Sequence, residues 1–462
     1  MEASNNKNVQ IAYIGGGSRN WAWEVMADLA LTEDIAGVVR LYDIDMDAAH
    51  VNERIGNALR GDKRVKGDWL YKTCESLGEA LTSADFVIIS ILPGTFDEME
   101  SDVHTPEKYG IYQSVGDTVG PGGVLRAMRS VPMFVEIAEA IRQYCPAAWV
   151  INYTNPMSIC TGALFAAFPG IKAFGCCHEV FGTQKLLAKM LEDQLGVAGV
   201  DRTEIHCNVL GVNHFTWFDK ASWKGLDLYP VFDAFAKKYA ESGFALTEDD
   251  LDMQNHFRNQ NKVGFDMYLR YGLIAVSGDR HIAEFAPPQY LTSPEAVRQY
   301  GFDLTPVSYR KANRDRLIQR AADILAGREA FAVEPSEEEG VTQIKALLGL
   351  QPLHTNINTV NVGQIKSLPL GAVVETNAVF ERDGVRPVFA GGLPDKVNVL
   401  VQKHAINQMM LVRAGVEKDT ELAFVAFLND SLMTLAVPDA RTLFRQMFDN
   451  TSKYLDGWAK LR

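Results

Sequence analysis

The chain has 462 residues, 47% of them hydrophobic and 22% charged, enough for two folded domains and unlike a disordered chain. Its net charge of −13 argues against nucleic-acid and acidic-membrane partners, because polyanions are repelled, although a local basic pocket can still take an anionic sugar. The polar start MEASNNKNVQ lacks the apolar core of a signal peptide, and no stretch approaches the roughly 20 apolar residues that span a bilayer, so a soluble, cytoplasmic protein is expected.

Residues 9–14 predict a buried strand, followed by a glycine turn and a helix over 21–31. A second strand over 38–42 ends at Asp43, and 47–59 has helical spacing. The run 86–92 suits a buried parallel strand, 131–144 a helix, and 149–153 and 171–175 two further strands. Strand, turn and helix in repetition predict an α/β fold, a Rossmann doubly wound parallel sheet. Beyond about residue 200 the pattern changes. Helices over 229–239 and 310–325 mix with antiparallel strands near 371–380 and 386–390, and the acidic stretches 248–250 and 334–340 read as surface loops. The expected division is a NAD-binding domain over 1–200 and an α+β substrate, metal and oligomerisation domain over 201–462. The six cysteines are too scattered for a disulfide framework.

Between the first strand and helix stand Gly15, Gly16, Gly17 and Ser18. Gly15 and Gly17 match the first two glycines of a dinucleotide-binding turn, whose third place holds Asn20. Such glycines let the backbone turn tightly and approach a pyrophosphate at the helix N-terminus. Asp43 lies 26 residues after Gly17, where a carboxylate binds ribose hydroxyls and repels a 2′-phosphate, favouring NAD. The strand leading to Ser90 completes the expected cofactor crevice. The alternative is a glycine-rich turn with no nucleotide.

Downstream, polar residues end apolar strands at 152–156, 175–179 and 211–214. Cys177 and His214 are either two ligands of one open metal site or a core thiol and a satisfied buried histidine. Asp117 reads as a catalytic acid or as a turn-forming aspartate. Asp266 and Tyr271 read as candidate bases or as surface and packing residues of a helix.

Taken together, Gly-Gly-Gly-Ser (15–18), Ser-Val-Gly-Asp-Thr-Val-Gly-Pro-Gly-Gly (114–123), Asn-Tyr-Thr-Asn-Pro-Met (152–157), Cys-Cys-His-Glu (176–179) and Gly-Val-Asn-His-Phe (211–215) resemble glycoside hydrolase family 4. The likeness runs on through Asn361-Val362-Gly363-Gln364 and Val373-Val374-Glu375. It implies a lactate/malate-dehydrogenase-like fold, NAD, and a divalent metal, commonly manganese, held by Cys177 and His214. It also implies a sugar pocket containing Asn155 and His178, and an assembly of two or four copies. The implied chemistry departs from the two-carboxylate scheme. Hydride leaves sugar C3 for NAD, the C2 proton is removed beside the metal, the glycosidic oxygen departs, water adds, and the hydride returns.

Within that family, residues 278–285 resemble the bacterial α-galacturonidases, so the expected substrate is a small uronic acid glycoside. Arg280 is the expected partner of its carboxylate, since the guanidinium fork binds carboxylate in bidentate fashion; Arg126 and Arg129 are alternatives. The competing activities are α-glucuronidase and α-galactosidase in the same family and, in a different class, a NAD-dependent hydroxy-acid dehydrogenase.

Overall fold

Residues 7–461 are described by a computed structural model. Six parallel strands make the first half of its sheet: β1 (Lys7–Ile14), β2 (Ile35–Tyr42), β3 (Trp69–Thr73), β4 (Phe86–Ile89), β5 (Trp149–Asn152) and β6 (Lys172–Gly175). Their order is β3-β2-β1-β4-β5-β6, the dinucleotide-binding order, with its switch point between β1 and β4. Both faces are covered, which explains the apolar runs. Ala12, Ile14, Val87 and Ile89 join one core, while Val9, Ile11, Tyr13, Phe86 and Ile88 join the other.

The sheet then continues without a break. Strands β7 (Ile205–Val212), β8 (Phe215–Trp223), β9 (Leu226–Asp227), β10 (Ile274–Val276), β11 (Leu353–Val360), β12 (Val373–Glu381) and β13 (Gly384–Pro387) bring it to 13 strands. Past β6 the order is β11-β12-β7-β8-β10, antiparallel throughout, with β13 beside β12 and β9 beside β8. One sheet thus crosses the expected domain boundary.

The helices over Trp21–Leu31 and Tyr229–Tyr239 fall where their spacing predicts. The expected helix over 131–144 is a correction: it spans Gly120–Tyr144 and starts inside a segment that reads as a glycine- and proline-rich loop. Burial overrides propensity there, since every residue from Gly120 to Val131 is buried. A Cβ at Gly123 would lie 2.4 Å from the Thr118 backbone, so only glycine admits that approach. The helix over Met157–Ala167 is apolar nearly all round and shows no amphipathic period; β3 is a short alternating edge strand. Neither is evident from the sequence pattern.

Candidate active site

The glycine turn is held from three sides. Gly15 has φ +92°, and a Cβ there would meet the Ser90 carbonyl oxygen at 1.9 Å. The Gly17 N–H donates to Asp43 Oδ2 at 2.8 Å, and the Asp45 N–H to Asp43 Oδ1 at 2.9 Å. Asn20, in place of the third glycine, precedes the first helix and makes no side-chain cap. The closure comes instead from Asn52, fully buried, whose Nδ2 donates to the carbonyls of Gly16 (2.7 Å) and Ser18 (2.8 Å) while its Oδ1 accepts from Trp23 Nε1 (2.8 Å).

A single row of residues crosses the far half of the sheet at the end of β6. Gly175 pairs with Asn358, Asn358 with Glu375, Glu375 with Gly211, and Gly211 with Thr216. This register brings Cys177, just past β6, towards His214 in the tight turn between β7 and β8. His214 has φ +65°, is buried, and has no hydrogen-bond partner at Nδ1. Its ring lies 4.0 Å from that of His281. Glu179 lies 3.6 Å from His281 and accepts from the Ser277 hydroxyl and the Gly278 N–H, each at 2.8 Å. Behind Cys177 sits buried Glu375, bound, among the described residues, by neutral donors alone: Asn356 Nδ2 (2.8 Å), Asn358 Nδ2 (3.3 Å) and the Thr216 hydroxyl (2.5 Å). Burial pushes the Cys177 thiol well above its ordinary value, and Glu375 and Glu179 add to this.

The third side comes from the 114–123 segment. Burial would raise Asp117, but chiefly the Arg126 guanidinium, with the Thr118 hydroxyl, holds it below the usual carboxylate range, as an anion. Arg126 Nε donates to the Asn155 carbonyl at 3.1 Å, while Asn155 Oδ1 is buried without a partner. The Asn155–Pro156 peptide is cis. His178 bonds Glu338 at 2.6 Å and stacks on Trp21; Glu338 raises it to about 9 against the effect of burial. The 334–340 stretch, expected as a surface loop, therefore turns Glu338 inward. Arg280 is buried, donates through Nη2 to the Ser114 carbonyl at 3.2 Å, and leaves Nε unpartnered.

Three of the expected residues are engaged by other partners. The Asp266 carboxylate is taken by Arg270, at 2.8 and 2.9 Å, and by the Tyr290 hydroxyl. Tyr271 packs edge-on against Trp217. Among the described residues no hydrogen bond, ion pair or ring contact joins either to the cluster. Arg129 is fully buried in an ion pair with Asp102 and also donates to the Pro93 carbonyl, so it is unavailable to a ligand. A cavity of about 240 Å³ lies between Trp149, Phe174, Ile357 and Val385 at the opposite end of β5 and β6, with Lys172 its sole ionisable residue; the chemistry-bearing groups are elsewhere.

The family profile described as "Family 4 glycosyl hydrolase" matches residues 10–193, and that of its C-terminal domain matches residues 209–433. The chain belongs to family 4 of the glycosyl hydrolases. Among family relatives, the alpha-galacturonidase of Thermoanaerobacterium saccharolyticum is 58% identical over 98% of this chain and 97% of its own. The alpha-galacturonidase of Bacillus subtilis is 51% identical over 95% and 96%. The structure of Bacillus subtilis lplD matches with a TM-score of 0.91 at 50% identity, covering 95% of this chain and 99% of that one. A 6-phospho-alpha-glucosidase from gut microorganisms, solved with NAD and Mn2+, shares the fold at 21% identity, with a TM-score of 0.81 over 99% and 100%.

Several residues of this family 4 site carry no local sequence signal. Asn52 lies in an ordinary amphipathic helix, and Glu338 in an acidic stretch. Glu284, inside the 278–285 segment but given no role there, accepts from the Val115 and Gly116 N–H groups, at 2.7 and 2.8 Å, and is pushed up to about 8, chiefly by burial. Glu179 and Glu375 stand inside quoted motifs, Glu179 two residues after Cys177 and Glu375 at the end of Val373-Val374-Glu375.

Proposed function

We propose that this glycosidase removes α-linked galacturonic acid, using bound NAD and a divalent metal ion, manganese in the first instance. The observation that carries this reading is alignment over 95–98% of the chain with four proteins named alpha-galacturonidase, at 49–58% identity. The Bacillus subtilis alpha-galactosidase stands at 29%.

The residues fit both groups. Gly15, Gly17, Ser18, Asn20, Asp43 and Ser90 surround the crevice where a dinucleotide would lie, and the Asp43 carboxylate stands where it favours NAD over NADP. Cys177 and His214 would hold the metal. Among the described residues no third histidine, cysteine or carboxylate completes a cluster with them, which suits an open site finished by sugar oxygens. The orphaned Nδ1 of buried His214 and the orphaned Oδ1 of Asn155 support a polar occupant, since buried polar atoms are normally paired. When bound, NAD supplies a hydride acceptor for sugar C3, and the metal supplies Lewis acidity at O2 and O3.

The chain's own groups then have distinct tasks. Asn155, His178 and Arg280 orient the sugar. Asp117 stands as an anion in the resting site, so its carboxylate takes up a proton before it can give one to the departing oxygen. Asp266, engaged by Arg270, and Tyr271, packed on Trp217, are the proposed candidates for the base that takes the C2 proton. Domains over 1–200 and 201–462, a cytoplasmic location and a dimer or tetramer remain part of the proposal. Among the described residues no helix is long and apolar enough to cross a membrane.

The test is hydrolysis of nitrophenyl α-galacturonide, α-glucuronide and α-galactoside with NAD and Mn2+, while NADH absorbance is followed. The galacturonide should be cleaved fastest, NAD should be required, and NADH should not accumulate. NADH formed in step with product would overturn the reading in favour of a dehydrogenase.

A further inference from the structure

Arg310 lies in the first turn of the helix over Val307–Leu325. No sequence motif marks it, and it lies 30 residues beyond Arg280. The two guanidinium groups nevertheless share one aromatic ring. That of Arg280 is 4.7 Å from the centre of the Phe257 ring, and that of Arg310 is 5.7 Å from it. The ring is braced by Tyr309, whose own ring lies 5.6 Å away and also meets His256 at 5.1 Å. The helix start is pinned by the Val307 N–H donating to His104 Nε2 at 3.2 Å. Phe257 itself is 41% exposed, so the pair lines an open mouth.

Placing two cations on one ring is costly unless something negative sits between them. Among the described residues, neither Arg280 nor Arg310 has a carboxylate within ion-pair distance, and the Arg310 guanidinium makes no hydrogen bond. Arg129 and Arg258, more deeply buried than either, are each paired, with Asp102 and, at 2.8 Å, with Asp303. Both unpaired groups feel Asp117 and Glu284, which places them along the side of the site that holds Asp117.

We propose that Arg310 and Arg280 together clamp the carboxylate on C6 of the bound sugar, with Phe257 as the wall that keeps the two forks side by side. The inference rests on the galacturonide reading and assigns to it the residue that selects acid over neutral sugar. A planar carboxylate meets a guanidinium fork in bidentate fashion, and two forks can share its two oxygens. A 6-phosphate is the other anion such a pair could take.

The experiment uses the holoenzyme with NAD and Mn2+. Binding of galacturonate, its neutral methyl ester and galactose 6-phosphate is measured by calorimetry, and kcat/KM on nitrophenyl α-galacturonide by assay, for the wild type, R310Q and R310K. The wild type should prefer the acid to the ester. R310Q should lower kcat/KM roughly 30-fold or more, mainly through KM, and erase the acid preference. R310K should recover part, because an ammonium does not copy the fork. An unchanged acid-to-ester ratio in R310Q, or a matching loss of NAD affinity, overturns the clamp. Tighter binding of the 6-phosphate than of galacturonate overturns the choice of carboxylate. If R310Q does not fold, F257L must lower the same ratio, and an unchanged ratio there also refutes the clamp. A wild type that prefers the acid but leaves galacturonides uncut refutes the substrate reading alone. One that cuts them while R310Q keeps its preference refutes the clamp alone.

Discussion

The rings of His214 and His281 lie 4.0 Å apart, with their planes inclined by 34°. Burial lowers the affinity of both for protons, and His281, facing His214, falls to about 3. Two neutral imidazoles in contact leave the lone pair of His214 free to meet a cation, with His281 fixing the ring that offers it. His214→Ala and Cys177→Ser should therefore lose Mn2+ and activity while remaining folded. His281→Ala should weaken Mn2+ binding by about 10- to 100-fold with NAD affinity intact. Metal titration of each variant decides this, and wild-type Mn2+ affinity in His281→Ala would remove its supporting role.

Glu284 predicts a pH dependence. Its folded value of about 8 stands above the ordinary 4.5. The folded chain thus binds more protons than the unfolded one between about pH 4.5 and 8, and this group's contribution to stability is lost as pH rises through that window. E284Q keeps an oxygen for the Val115 and Gly116 N–H groups without the charge. Its melting temperature relative to wild type should climb from pH 5 to about 9; a constant difference would show that Glu284 is ionised throughout. The two histidines act in the opposite sense. Their lowered values make stability fall as pH drops below the ordinary histidine value of 6.5.

Asn52 joins the glycine turn to the first helix through three hydrogen bonds. Asn52→Leu leaves two carbonyls and the Trp23 N–H unpaired, at a cost of about 2–4 kcal/mol in stability. NAD affinity should also fall, although this side chain is not among the residues assigned to the cofactor. Denaturant unfolding and NAD calorimetry test both parts. Full NAD affinity would mean that the turn holds its shape by itself.

Asp102→Asn leaves the buried Arg129 cation without its counter-charge, and about 3–5 kcal/mol of stability should be lost. The ratio of galacturonide to galactoside hydrolysis should not move, because this pair faces Pro93 and the core. A shift in that ratio would reopen Arg129 as a substrate contact.

Where one element both carries and positions its residues, the sequence by itself determined the outcome. The alternation of buried strands and helices dictates the parallel half of the sheet. The glycines before Trp21 and the carboxylate at Asp43 lie at the ends of neighbouring strands, so strand order alone brings them together. The cysteine and histidine motifs identify the family, because each combines a strand end with an unusual polar residue. Only the tertiary structure decided what depends on groups distant in sequence. Burial turned the glycine-rich 120–130 stretch into helix against its propensity. The row from Gly175 to Thr216 set Cys177 before Glu375. Ion pairing tied Asp266 to Arg270 and Arg129 to Asp102, and Phe257 brought Arg310 beside Arg280. Propensity and periodicity act over a few residues, whereas charge pairing and desolvation are settled by whatever the folded chain places within a few ångströms.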